Sequence, residues 1–563
     1  MNRRNFINIG IAGSVLSGLP SVATSASLTS GRYSGKSNPK ELSADLVIAG
    51  GGLGGCAAAL GALRNGLTVI LTEETDWIGG QSTAQLVPLD EHQWIETHGA
   101  TKLYRDFRTG VRQYYIRNYP LTEEARNRQY LNPGDGWVSR LCHEPRIALA
   151  VLYEMLNPYI SSGKLTLLLE HKAIGADVEG NKVRSLKVAH VRSKEEKVLT
   201  APYFADATEL GDLLPLTGTE FVTGTESRNE TKELHAPEKA DPKNQQAFTV
   251  CFVLDYDKAG NHTIEKPAEY DFWRNYVPAL TPPWPGRLLD FAYSTPSGAK
   301  TLGFHPEDIP MDTLNLWTYR RIINKNNFKT GSYVGDISII NWPQNDYMLG
   351  NLDVSEAEFN RHVARAKQLN LSLLYWLQTE VARPDGGRGW QGLRLRGDIT
   401  GTGDGMAKYP YIREARRIKA LFTILEEHVG KENRKQASGK DRAADFFDSV
   451  GIGYYPIDLH PSTKGNNSID VPALPFQIPL GALIPQRMEN LLPANKNIGT
   501  THITNGCYRL HPIEWNIGES VGMLASFALQ KKISPRAVRE NAGLLSDFQK
   551  MIQGQGVEIS WKS

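Results

Sequence analysis

Gly50, Gly52 and Gly55 spell G-x-G-x-x-G between two short apolar runs, with Gly54 inside the motif. Glycines at this spacing suit binding of a diphosphate by backbone. The first permits a tight turn, the second lets the chain approach a pyrophosphate, and the third lets a helix pack closely on a strand. Leu46 to Ala49, just ahead, is expected as a buried strand, and the small residues Cys56, Ala57, Ala58 and Ala59 open a helix. The free N–H groups at that helix's start would face the phosphates. Thr68 to Leu71 reads as a second strand, and Glu73 beyond it is placed to accept ribose hydroxyls. An acid there disfavours a 2′-phosphate. Strand, glycines, helix, strand and acid in register form a dinucleotide fingerprint, where the glycines alone would mark only a turn.

Other residues have reactive types in suggestive patterns. Arg413, Arg416 and Arg417 lie at i, i+3 and i+4 within an expected helix, Pro410 to His428. One helix face would then present three guanidinium groups, as a clamp for a carboxylate or sulfate or, more commonly, as partners for neighbouring acids. Cys142-His143-Glu144 has metal-ligand types, but no second ligand pair completes a site, and no metal is expected. The four cysteines, Cys56, Cys142, Cys251 and Cys507, contain no C-x-x-C pair. That argues against a disulfide framework or a redox dithiol. Eleven tryptophans, among them Trp273, Trp284, Trp342 and Trp390, suit stacking on a sugar or aromatic ring, although filling a core is their commoner use.

These residues need a large frame. The chain has 563 residues, too many for one simple core, so at least two lobes are expected. Hydrophobic content of 40%, charged content of 22% and a net charge of +2 are those of an ordinary globular protein and do not suggest a nucleic-acid binder. Helices are expected at Arg146 to Tyr159, Val354 to Ala382, Asn516 to Gln530 and Gly543 to Gln553. Strands are expected at Lys164 to Glu170, Lys182 to His190, Lys197 to Phe204 and Ala247 to Tyr256. Residues 216–245 read as a crossing loop and 257–345 as an irregular, Pro- and Trp-rich lobe. The N-terminus, Arg3-Arg4-Asn5-Phe6-Ile7 with an apolar run to Leu19 and small residues to Ala26, resembles a twin-arginine export signal. The apolar run is too short for a membrane span. Residues 1–26 are thus expected as the signal and 27–43 as a flexible mature N-terminus, placing the protein in the periplasm or outside the cell.

Three further segments carry a family resemblance. Gly79-Gly80-Gln81 stands where flavoproteins of the glutathione-reductase type pass close to the flavin pyrophosphate. Phe204 to Leu213, with Asp206, resembles the "DATGxGDL" return of such proteins, although Glu209 replaces a glycine. The C-terminal stretch contains Asn490-Leu491-Leu492, Ala494, Thr501-His502, and Gly518 with Gly522, while Asn495 replaces the usual glycine. With Asn341 to Asp346 and Tyr411 to Ile418, these segments resemble the bacterial FAD-dependent oxidoreductase family over nearly all of the mature chain.

The resemblance implies an α/β fold: a Rossmann-type FAD-binding domain, with a parallel sheet and a small antiparallel sheet, holding an inserted α+β substrate domain. The FAD domain would comprise 44–215 and 471–530, the substrate domain 216–470, and a helical tail 531–563. FAD is the implied cofactor, contacted by Gly50, Gly52, Gly54, Gly55, Glu73, Gly79, Gly80, Gln81, Asp206, Asn516 and Gly518. Its ring would face the N-terminus of a helix starting near Asn516, whose positive end stabilises reduced flavin. Beside it, His511 would accept a substrate proton as hydride leaves for flavin N5, Arg509 would hold an anionic oxygen, and His502 is a second catalytic candidate. The expected activity is oxidation of a small organic substrate at a C–H beside a hydroxyl or amine. Oxygen, a quinone or a periplasmic carrier would take the electrons. The alternatives are a fumarate-reductase-like reduction of an activated C=C bond, served by Arg509 or the Arg413 group, and a protein that retains FAD without turnover.

Overall fold

In the computed structural model, residues 40–295 and 298–561 are described. The proposed export signal lies outside them. The central feature is a five-stranded, all-parallel sheet in the order Leu491–Pro493, Tyr203–Asp206, Leu46–Ala49, Val69–Glu73, Leu165–Leu169. All four residues of Leu46–Ala49 are buried. A strand covered on both faces needs a continuous apolar run, and LVIA supplies one. The fold is thus mixed α/β, with a parallel sheet and smaller antiparallel sheets.

A second sheet joins His171–Glu179, Lys182–His190 and Glu196–Thr200 as antiparallel neighbours. Its edge strand is Lys40–Ser43, parallel to Glu196–Thr200 with Leu42 opposite Leu199. These four residues, expected within a flexible N-terminus, are ordered by sheet pairing. Within 216–470 a third sheet, Arg321–Ile323, Ile337–Ile340, Phe252–Tyr256 and Leu393–Leu395, packs beside the long helix Glu356–Thr379. That helix starts on the Ser355 hydroxyl, which accepts the Glu358 N–H. Residues 39–563 cluster as one compact unit. Among the described residues, no helix is long and apolar enough to cross a membrane.

The fingerprint helix Leu53–Arg64 crosses the C-terminal helix His511–Lys531 at very short range. A Cβ on Gly518 would lie 1.9 Å from the Gly54 carbonyl oxygen, and one on Gly522 would lie 2.0 Å from that of Ala58. Gly518, expected at the cofactor, is instead a helix-packing glycine.

Two other expectations need correction. The C-terminal helix begins at His511, not near Asn516, because Pro512 fits a first turn where its missing N–H is not needed. Asn516 therefore lies inside the helix, donating its amide to Val450 O and Ser520 Oγ, away from the N-terminus. Pro410 to His428 is not a helix. Tyr411 exchanges backbone hydrogen bonds with Thr249, Arg417–Ile418 pairs with Phe221–Val222, and only Glu426–Val429 makes a helical turn. Sheet pairing with distant segments overrides the local helical pattern.

Candidate active site

One cavity lies at the C-terminal end of the parallel sheet and a second beside the start of the C-terminal helix. The first is lined by Gly50, Gly52, Glu73, Gly80, Gln85, Thr208, Glu209 and Tyr409. Gly50 has φ 95°, and a Cβ there would strike the Ala207 carbonyl at 2.2 Å, so the turn requires glycine. Gly79 and Gly80 also have positive φ, and the Gly79 N–H donates to Gly51 O at 2.7 Å, bringing the second glycine pair onto the fingerprint. Glu73 ends its strand at the cavity wall. Its carboxylate accepts the Gly51 N–H at 2.9 Å and the Thr75 N–H and hydroxyl, each at 2.9 Å. Burial pushes its carboxyl up to about 7 despite these bonds.

This cradle fits a dinucleotide diphosphate. The fingerprint helix opens at Gly52 with no side-chain cap and no acid in its first turn. Its Gly54 N–H donates to Glu514 Oε1 at 2.9 Å. Ser82 Oγ is buried with no hydrogen-bond partner and can donate to a phosphate oxygen, while the unpartnered Gln81 Oε1, Gln85 Oε1 and Glu209 Oε1 can accept from ligand O–H or N–H groups. Lys496, buried and ion-paired with Glu209, supplies the cation. Asp206 stands one layer behind. Its oxygens accept Thr208 N, Thr208 Oγ1 and Leu213 N, so it shapes the turn that presents Thr208 and Glu209. Burial pushes the Asp206 carboxyl up to about 7 as well.

The second cavity, of about 280 Å³, lies between the substrate segment and the start of the C-terminal helix. Gln81, beside the second glycine pair, donates to Arg509 O at 3.0 Å and to Glu514. Arg509 donates to Tyr411 Oη at 2.6 Å and to Asp458 Oδ2 at 2.8 Å, while its Nε has no partner. Arg413 pairs with Asp346 at 3.1 Å, and Arg320 lies 3.5 Å from Asp90. His460 Nδ1 lies 2.5 Å from Asp346 Oδ2, and its Nε2 lies 3.6 Å from Asp458 Oδ2. Burial raises the Asp346 carboxyl, but Arg413 and His460 outweigh it and hold the group below the usual carboxylate range. The imidazole thus stands between two aspartates, and Asp458 too is held below the usual carboxylate range, by His460 and Arg509 against the effect of burial.

Of the expected catalytic residues, only Arg509 lines this cavity. His511 is fully buried, and its Nδ1 accepts the Asp90 N–H at 3.1 Å. Its proton therefore sits on Nε2, and burial pushes its pKa down to about 3. With one nitrogen protonated and the other occupied, His511 is not placed to accept a substrate proton. His502 is bonded at 2.9 Å to Glu414, which also pairs with Arg417. It belongs to a structural ion network. Arg413, Arg416 and Arg417 diverge instead of forming a clamp: Arg416 pairs with Asp212, and Arg417 with Glu414 and Glu226. Cys142 and His143 bond to the backbone oxygens of Ser139 and Glu144.

The Asp346–His460 pair, Arg320 and Asp458 were missed from sequence. One local signal existed: Asp458-Leu459-His460 alternates at the end of a strand, which puts the acid and the imidazole on one face.

The FAD dependent oxidoreductase family model matches residues 45–552. No curated protein matches the chain. Among solved structures, it resembles p-nitrophenol 4-monooxygenase PnpA from Pseudomonas putida DLL-E4, at 11% identity and TM-score 0.36, covering 92% of this chain and 88% of that one. It also resembles L-proline dehydrogenase from P. horikoshii, at 17% identity and TM-score 0.17, covering 34% of this chain and 26% of that one. The myxobacterial chondrochloren halogenase CndH matches at 14% identity and TM-score 0.22, over 40% of this chain and 46% of that one. The chain thus spans less than half the length of the latter two. With the family match covering most of its length, the chain belongs to the FAD dependent oxidoreductase family and is an enzyme that uses FAD.

Proposed function

We propose that the enzyme oxidises a small organic substrate at a C–H bond beside a hydroxyl or amine. The observation that carries this reading is the Asp346–His460 pair in the wall of the second cavity. Bound FAD supplies the two-electron acceptor, with N5 as the hydride-accepting atom. His460 takes the hydroxyl or ammonium proton, and Asp346 stabilises the imidazolium. Arg509, with its unpartnered Nε, hydrogen-bonds the substrate oxygen and stabilises negative charge developing there. Gln81 and Glu514 hold the Arg509 segment against the nucleotide cradle.

The reverse chemistry, reduction of an activated C=C bond in a dicarboxylate, is less well served. It needs cations whose charge is not already matched, and Arg320, Arg413 and Arg509 each face an aspartate, keeping only Arg320 Nε and Nη1, Arg413 Nε and Arg509 Nε as unpartnered donors. A protein that retains FAD without turnover has no use for the imidazole–carboxylate pair. We further propose that Arg3 and Arg4 direct export of the folded holoprotein, with oxygen, a quinone or a periplasmic carrier as final acceptor.

Anaerobic bleaching of the flavin by sugars, polyols, amines and hydroxy acids tests the reading. At least one class bleaches it, and His460→Gln slows that bleaching while leaving the bound flavin in place. Failure of every class, with an electron-poor alkene reoxidising photoreduced flavin, would instead support the reductase. Cell fractionation of the protein and of a double Arg3→Lys, Arg4→Lys variant tests export.

A further inference from the structure

A second opening adjoins the substrate cavity. A groove of about 640 Å³ is lined by Tyr130, Trp137, Arg140 and Tyr454, and shares Tyr455 and Pro456 with the inner cavity.

The groove presents apolar rings to water. Trp137 is 74% exposed and Tyr130 is 46% exposed. Single exposed aromatics are ordinary, but two lining one groove beside an active-site cavity are not. The backbone of the Trp137 loop is held in place. The Trp137 and Val138 N–H groups donate to Tyr319 O, each at 3.0 Å, and Arg321 Nε donates to Gly134 O at 2.7 Å. Tyr319 and Arg320 line the inner cavity, so one short segment carries both the reactive-site wall and the platform loop. The Arg112 guanidinium lies 5.5 Å from the Tyr130 ring centroid, supporting that ring.

The inner cavity limits what the ligand can be. Arg320, Arg413 and Arg509 face Asp90, Asp346 and Asp458, so each charge is matched by an opposite one, while Arg320 Nε and Nη1, Arg413 Nε and Arg509 Nε remain unpartnered donors. Such pairs set donors and acceptors side by side, as adjacent hydroxyl groups require. Flat apolar faces outside and paired charges inside suit a chain of pyranose rings. A ring's C–H face stacks on an aromatic, and its hydroxyl edge takes the hydrogen bonds.

We infer that the substrate is an oligosaccharide, with one sugar ring in the inner cavity and its neighbours along the Trp137–Tyr130 groove. This rests on the oxidation reading only for what happens to the inner ring; binding in the groove does not depend on it. The test uses FAD-loaded protein with cello-, malto- and xylo-oligosaccharides of increasing length and a printed glycan array. Binding is read by calorimetry and flavin bleaching is read separately. In at least one series, affinity rises about tenfold or more from the single sugar to the short oligomer. Trp137→Ala removes that gain with flavin content and Tm unchanged, whereas Phe447→Ala, which lines neither space, keeps it. The inference is overturned if no glycan binds, if length brings no gain, or if Trp137→Ala and Tyr130→Ala bind like the parent. A Trp137-dependent gain without bleaching upholds the oligosaccharide and sinks the oxidation reading. Bleaching by single sugars without any gain does the reverse.

Discussion

FAD affinity should depend on pH through Glu73. In the ligand-free protein burial holds this carboxyl at about 7, so near pH 7 it is half protonated. A carboxylate that accepts two ribose hydroxyls must be ionised, so binding pulls its pKa down and releases a proton. Affinity is therefore full above about pH 7 and falls as pH drops below it. At about pH 5 the shortfall is two units at about 1.4 kcal/mol each, a ceiling of about 3 kcal/mol or 100-fold. Glu73 keeps part of its surface in water. Screening reduces the expected effect to about 10- to 100-fold. Other groups are near enough to contribute. Glu74, which pairs with Lys172 at 3.2 Å, raises the Glu73 carboxyl further, and Asp206 titrates in the same range. Glu73→Gln isolates the effect, because it removes one titration and leaves theirs. The assay is quenching of flavin fluorescence by apoprotein across about pH 5 to 8. The parent loses affinity on acidification, while the variant binds more weakly at neutral pH and with a flatter profile. A pH-independent Kd in the parent, or the same slope in Glu73→Gln, would refute the reasoning.

Three other outcomes are expected. His460→Gln and Asp346→Asn slow anaerobic flavin reduction by about 10²- to 10⁴-fold with flavin content unchanged, and a parental rate in both assigns the proton to another group. Gly518→Ala, whose Cβ would lie 1.9 Å from Gly54 O, forces two helices apart and costs about 1–3 kcal/mol or more. Calorimetry shows the loss, and Gly554→Ala, with nothing within 4 Å of its Cβ, does not share it. Glu519, buried beside Trp515 and 4.0 Å from Arg64, has its carboxyl pushed up to about 7 by burial. The folded state keeps this proton while the unfolded state loses it near pH 4.5, so stability falls by about 3 kcal/mol as pH rises from about 4.5 to 7. Glu519→Gln removes that fall, and parallel urea-unfolding profiles across pH would contradict it.

The nucleotide half of the site was legible because its determinants are local. Leu46 to Glu73 holds strand, glycine turn, helix, strand and acid within one βαβ unit, and each residue's role follows from backbone geometry over a few positions. The partner of that unit was not local: the Leu491–Pro493 strand pairs with Tyr203–Asp206, almost 290 residues earlier, in the same sheet. The arginines show where such reading stops. Their i, i+3, i+4 spacing suits one helix face, yet Arg413, Arg416 and Arg417 reach Asp346, Asp212 and Glu226 on separate elements. Once those pairs and the Tyr411–Thr249 bonds are available, an extended path is more favourable than a solvated helix.

The reactive half depended on tertiary structure. His511 looked reactive beside Arg509 and Glu514, but packing buries it completely and occupies its Nδ1. His460 carried little local signal, and its carboxylate partner lies 114 residues away in the chain. From its sequence alone, this protein is determined to be a dinucleotide-binding α/β chain that resembles FAD oxidoreductases. Which imidazole faces the substrate cavity, and which cations are already matched by an acid, was decided only by the fold. Burial and partner geometry set the protonation of a side chain, and both arise from contacts between segments that have no local relation in sequence.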